Sequence, residues 1–340
     1  MNPILAIFIV LFTVVFVHEL GHFIAAKMFR VEVLEFGIGF PPRIFSFRFR
    51  GTEYSFNLIF FGAFVKLAGE KEESVQGGFY TKSPLVRFIV GAAGPIINVF
   101  LAFVLFTFGF MVPSNVVVGG EGIKVFQVAS GSPAADSGMQ TGDLILKIAG
   151  KEVKTPDDVH DAIGANKGTE TEFLLSREGK GVLVQLTPRV NPPRGEGSIG
   201  IRLGYAELTR EIRSLALGPA LLESSKTMLQ VPELLRQFFS QVFVSPGATL
   251  MGPIGAAQVT GEVAKFGMGP VIALAGSLSI GIAVFNFFPI PPLDGGGMVI
   301  SIVEGFRRGR SISPRSRKYV YTVGTILLGL LFVMITYNDI

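Results

Sequence analysis

Two of the three histidines in this 340-residue sequence stand four positions apart, in His18-Glu19-Leu20-Gly21-His22. On an α-helix that spacing turns both imidazoles to one face, about 6 Å apart along the axis. Two imidazoles so placed can grip one zinc ion. Glu19 is offset around the helix and is placed to take a proton from water rather than to ligate the metal. Catalytic zinc wants a third protein ligand and one open position. The chain has no cysteine, so that ligand must be His, Asp or Glu. The third histidine, His160, stands among Asp157, Asp158 and Asp161 and reads as a solvated helix residue. The run Asn286-Phe287-Phe288-Pro289-Ile290-Pro291-Pro292-Leu293-Asp294 ends an apolar helix with three prolines and delivers an acid at once, followed by Gly295 to Gly297, which permit close approach. Asp294 is therefore the preferred third ligand. Glu304 is its rival, and a helix cap is the plain alternative for Asp294.

These groups sit in an apolar chain. Hydrophobic residues make up 49% and charged residues 16%, with no disulfide framework possible and a net charge of only +4. Mean hydropathy is +0.52. Such a composition indicates a membrane protein and does not imply nucleic-acid binding. Four stretches, roughly 3 to 27, 86 to 112, 269 to 290 and 319 to 337, are long and apolar enough to cross a bilayer. The first reads as a retained span rather than a signal peptide. Basic residues gather between spans one and two and again at Arg307 to Lys318, so both loops are expected in the cytoplasm. Both termini and the long segment 113 to 265 are then expected outside it. His18, His22 and Glu19 fall within hydrocarbon, where polar groups persist only if they face the protein interior and find partners.

Four regions follow. Residues 1–112 hold spans one and two with HExxH, and residues 33–66 form a β region. There IFSFRFR and YSFNL alternate around a GTE turn, and ten phenylalanines between Phe29 and Phe64 suit a hairpin dipping into the membrane interface. Residues 113–190 read as a soluble domain of strands and two helices. One helix is started by Pro156 with Asp157 and Asp158, and a hairpin turns at Glu178 to Gly181. Residues 191–265 read as a linker, NPPRGEG, followed by a helical amphipathic stretch from Leu208 to Phe243, either on the outer membrane surface or packed as a hairpin on the soluble domain. Residues 266–340 hold spans three and four. In span two, Gly91 to Gly94 and Asn98 read as helix packing.

The order of elements in 113–190, with its GSPA…SGMQTGDLILKIAG run, resembles the circularly permuted PDZ domains of bacterial membrane proteases. That resemblance implies that a peptide or chain end pairs with the strand Ile123 to Ala129, with helix 156–165 as the other groove wall. HELGH, AAGPIIN at 92 to 98, GPIG at 252 to 255 and NFFPIPPLDGG at 286 to 296 extend the likeness over nearly the whole chain. The sequence resembles the site-2 protease family of intramembrane zinc metalloproteases, of the bacterial single-PDZ, regulator-of-sigma-factor type. The resemblance implies zinc held by His18, His22 and Asp294, Glu19 as general base, and Asn286 holding the scissile peptide or its oxyanion. It also implies that Gly62, Ala63, Phe64 and Val65 form a strand edge that binds substrate by strand addition.

The expected architecture is a polytopic α-helical membrane protein of about four transmembrane helices, with a membrane-associated β-hairpin and an inserted PDZ-like α+β domain. Its expected place is a bacterial cytoplasmic membrane, with the active site near the cytoplasmic face. Expected partners are the lipid bilayer and single-span membrane proteins cut during regulated intramembrane proteolysis, such as anti-sigma factors or remnant signal peptides. A metal transporter using the same three ligands, and a membrane-tethered PDZ scaffold with a degenerate site, are the rival readings. Glu19 has no task in either. Substrate identity and self-association are not legible in the sequence.

Overall fold

The computed structural model describes residues 3–70, 75, 77–193, 196–242, 253–308 and 310–338. Two compact units divide the chain: Met1–Ser114 with Ser214–Ile340, and Asn115–Arg213. Four helical segments of the first unit are long and apolar enough to cross a membrane: Ile7–Met28, Pro84–Met111, Met268–Asn286 and Pro314–Met334. They fall where the hydropathy of the sequence puts them.

In the first unit, α1 (Pro3–Met28) leads into a long antiparallel hairpin of β1 (Val33–Phe49) and β2 (Thr52–Leu67). Arg50 and Gly51 take positive φ at its turn, one residue ahead of the expected tip. The distal half exposes Phe45, Phe47 and Phe49 to the surroundings, and Phe45 stacks on Phe56 across the strands with centroids 4.5 Å apart. An exposed aromatic ladder of this kind suits a membrane interface better than water. A single 3-10 turn at Phe79–Thr81 precedes α2 (Pro84–Met111), which Ser83 caps and Pro84 starts.

The second unit contains a sheet whose strands lie in the order β7-β6-β4-β3-β8, with β5 beside β4. Its elements are β3 (Ser114–Val128), α3 (Pro133–Asp136), β4 (Leu144–Ile148), β5 (Lys151–Glu152), α4 (Pro156–Ala165), β6 (Thr171–Arg177), β7 (Lys180–Leu186) and β8 (Ile201–Arg213). Ile123, Ile145, Ile148, Phe173 and Leu175 are fully buried with Val159 of α4 in one apolar core. α4 begins with a capping box between Thr155 and Asp158. Glu178 and Gly179, both at positive φ, close the β6–β7 hairpin at the expected place.

Two expectations change here. The soluble unit runs to Arg213 rather than 190, because Ile199 is buried in its core and β8 completes its sheet. Strand β3 also cannot receive a peptide, since β4 and β8 flank it on both sides. The open edge of the sheet at this end belongs to β8.

The chain then returns to the first unit through α5 (Leu217–Val242), α6 (Pro253–Ala264), α7 (Met268–Asn286), α8 (Asp294–Phe306) and α9 (Pro314–Asn338). Of the stretch 208–243, residues 208–213 are strand, and Phe243 lies outside the described residues, as does Gly252 of the GPIG run. α5 does not simply lie on a surface. Its Ser224 receives the Thr107 hydroxyl at 3.0 Å, and Met228 and Val231 pack with Ala102 and Phe106 of α2.

Candidate metal centre

Three side chains from two distant parts of the chain converge in the first unit. His18 and His22 lie on one face of α1, both under 10% exposed, and Asp294 is the first residue of α8. Asp294 does not cap its helix; no side-chain cap bond forms there. Its Oδ2 lies 2.9 Å from His18 Nε2 and 3.2 Å from His22 Nε2, and the two Nε2 atoms are 3.2 Å apart. The residues between Asn286 and α8 make this approach possible. Gly295 lies against the carbonyl oxygens of Phe287 and Phe288, and Gly296 against Pro291, so any Cβ at either position would push the returning segment away.

The donor set suits zinc. Bonds of about 2.0–2.1 Å in a tetrahedron separate neighbouring ligand atoms by roughly 3.3–3.4 Å, and the three observed separations lie just inside that value. His22 Nδ1 donates to the Val90 carbonyl at 2.8 Å, so the Nε2 lone pair is left for a metal. Space is kept by Gly94 of α2: a Cβ there would strike His22 Nε2 and come within 2.8 Å of His18 Nε2. Among the described residues, this is the only cluster of three potential metal ligands.

Glu19 and His22 line a cleft of about 210 Å³ together with Val65, Arg87, Tyr80 and Asp294. The Glu19 carboxylate faces this cleft beside His22 and Val65. Gly62 to Val65 lie on β2 with one edge paired to β1, through Phe36↔Val65, Gly37↔Phe64 and Ile38↔Ala63, and Val65 lines the cleft beside Glu19. Gly62 has φ +104, and a side chain there would meet Val15. Asn286 is not drawn into the cluster. It sits in the last turn of α7, where its amide donates to Ile282 O at 3.0 Å, and it does not line the cleft.

Glu304 is no ligand. It is fully buried beside Arg87 and Arg317, and also accepts from Ile312 N–H at 2.8 Å. Arg317 lies 3.7 Å from the Tyr80 ring centroid. Burial pushes the Tyr80 phenol above its ordinary pKa. Two cations that the sequence reads as loop charges, Arg87 and Arg317, are thus interior groups. His160 is exposed, as expected, but it also lines a separate cavity of about 520 Å³ between α4 and residues 198–203 of the second unit.

Two residues that sequence reading treated as packing, Gly94 and Asn98, face the imidazoles, together with Val90, which it did not single out. Val90, Gly94 and Asn98 recur every fourth residue along one stripe of α2, and all three face His18 or His22. That spacing was the available signal.

Two helix-borne imidazoles, a carboxylate from a distant segment and a neighbouring glutamate are the groups that a metal-dependent hydrolase site requires. Residues 6–331 match the model of peptidase family M50, and the chain belongs to that family, the site-2 proteases. A Clostridium perfringens protein named "Putative zinc metalloprotease CPE1693" is 33% identical, covering 96% of this chain and 95% of its own. The regulator of sigma-W protease RasP of Bacillus subtilis is 27% identical over 100% of this chain and 98% of its own. Among solved structures, the PDZ domain of an SdrC-like protein from Listeria monocytogenes is 29% identical, covering 26% of this chain and 93% of that one, with a TM-score of 0.23.

Proposed function

We propose that this chain is an intramembrane zinc metalloendopeptidase that hydrolyses a peptide bond in or beside the transmembrane segment of a single-span membrane protein. The observation that carries the reading is the convergence of His18, His22 and Asp294 at near-tetrahedral spacing beside Glu19. Zinc bound by these three residues supplies a Lewis acid that polarises the scissile carbonyl and makes water nucleophilic near neutral pH. Glu19, which lines the cleft beside His22, takes the proton of the attacking water and returns it to the leaving amine. A transmembrane helix hides its carbonyls in hydrogen bonds, so the substrate must unwind locally. The β2 edge at Gly62, Ala63, Phe64 and Val65 then holds its extended backbone. Asn286 steadies the scissile carbonyl after its amide leaves Ile282 O.

The charge pattern supports a multi-pass place in the bacterial cytoplasmic membrane, with loops 28–83 and 307–318 in the cytoplasm and the soluble unit outside. That unit acts as a PDZ domain. Its groove for a peptide or chain end is bounded by α4 and the open edge of β8 and lined by Val159, His160, Ile163, Ile199, Ile201 and Leu203. Substrates of the anti-sigma-factor or remnant-signal-peptide kind fit this arrangement. A transporter would need further polar stations along the spans, and a scaffold has no use for Glu19.

Zinc per chain in the purified protein tests the reading. About one zinc is expected in the parent and in Glu19→Gln, with loss in His22→Ala and Asp294→Ala. Cleavage of a transmembrane substrate should fall by about 10²-fold or more in Glu19→Gln. A folded, zinc-supplied parent that binds none would overturn the mechanism.

A further inference from the structure

Each ligating imidazole needs its second nitrogen protonated, because the metal takes the lone pair of the first. For His22 the Val90 carbonyl enforces this, since a carbonyl only accepts. For His18 the group facing Nδ1 is the side-chain amide of Asn98, 3.3 Å away and fully buried. Its nitrogen faces Nδ1, while its oxygen has no hydrogen-bond partner. That orientation matches a ring whose proton lies on Nε2, donated to Asp294 Oδ2 at 2.9 Å. It is incompatible with Nε2 ligating a metal. A half-turn of the amide exchanges two atoms of nearly equal size and puts the orphaned oxygen opposite Nδ1.

We propose that Asn98 is the positioning residue of His18: its Oδ1 accepts Nδ1–H, fixing the tautomer that presents the Nε2 lone pair to zinc. The inference rests on the zinc reading above. The backbone supports the assignment. The Ser279 hydroxyl donates to Asn98 O at 2.8 Å, tying α2 to α7 at the level of the site and holding the amide opposite the ring. Asn98 also completes the stripe begun by Val90 and Gly94, so that one face of α2 orients both imidazoles and leaves room for their ligand atoms.

The test compares zinc affinity, by chelator competition on the full-length protein in detergent, for the parent, Asn98→Leu and Asn98→Asp. The leucine variant has no acceptor, and its affinity should fall about 10- to 100-fold. The aspartate variant keeps an acceptor oxygen whichever way it turns, and its affinity should stay close to the parent. The visible spectrum of the cobalt-substituted protein should be unchanged in Asn98→Asp and altered in Asn98→Leu. Because the chain has only three histidines, ¹⁵N-histidine NMR of the zinc-loaded parent reads the tautomer without any substitution. Protonated Nδ1 is expected in both His18 and His22, and this measurement decides the matter if Asn98→Leu does not fold. An unprotonated His18 Nδ1, a leucine variant that binds zinc as tightly as the parent, or an aspartate variant as weak as leucine would each overturn the proposal. A parent that binds no zinc overturns the metal reading and this inference with it. Zinc binding in the parent with any of the contrary Asn98 results overturns only this one.

Discussion

The two units spend their interiors on opposite kinds of residue. Around Phe173 the soluble unit buries aliphatic and aromatic side chains, with only Ser132, Asp143 and Thr171 as buried polar residues among those described. The membrane unit exposes its large apolar side chains, including Phe100, Leu330 and Phe332, and keeps His18, His22, Asn98, Arg87 and Glu304 inside. Solvent is the cause. In water, apolar burial drives folding and polar groups cost least outside. Lipid is as apolar as leucine, so burying leucine gains little, and polar groups facing one another inside give helix association its specificity. The buried polar groups of the first unit, the candidate metal ligands among them, therefore also help to hold its helices in register.

That contrast can be broken at its centre first. Phe173→Ala should destabilise the soluble unit by about 3–5 kcal/mol while leaving zinc per chain unchanged, as calorimetry and metal analysis would show. Zinc lost with the soluble core would mean that the two units do not fold independently. Glu304→Ala should cost the membrane unit a comparable amount, about 3–5 kcal/mol, because Arg87 and Arg317 both lose the buried carboxylate they share. A shift under about 1 kcal/mol in detergent unfolding would show that water reaches these cations.

Smaller changes sharpen the comparison. Gly94→Ala adds one methyl where the imidazole nitrogens meet α2. About 1–3 kcal/mol of overpacking should appear as weaker zinc binding with little change in thermal unfolding. Equal affinity would show that α2 can move aside. In the soluble unit, the Asp143 carboxylate accepts from Arg177 Nε and Nη2 and from Gln140 N–H, all at 2.8 Å. These donors hold its pKa below the ordinary carboxylate range, Arg177 contributing most. A carboxyl with a depressed folded value stabilises fully above its unfolded pKa of about 3.9 and loses that contribution as pH falls through the folded one. Asp143→Asn should therefore cost about 1–3 kcal/mol at pH 7, and the deficit should shrink below about pH 4. A deficit independent of pH would point to packing rather than charge.

Much of this protein was legible from residue type and spacing alone. The spans follow from hydropathy, the paired histidines from a four-residue interval on a helix, and the β6–β7 turn from Glu178-Gly179. Glycine and proline marked the break before Asp294 because backbone geometry leaves those residues few other uses. Other features depend on which surfaces meet. β8 lies beyond a linker-like run and joins the sheet through pairing to a strand some 80 residues earlier, which no local pattern encodes. Sequence could nominate both Asp294 and Glu304 as the third ligand. Only the packing of α8 against α2 separates them, turning Asp294 to the imidazoles and Glu304 to Arg87. The contacts of Val90, Gly94 and Asn98 with the imidazoles are set in the same way. A carbonyl, a missing side chain and an amide acquire chemistry only from what stands opposite, and that is set by how two helices pack, not by either sequence.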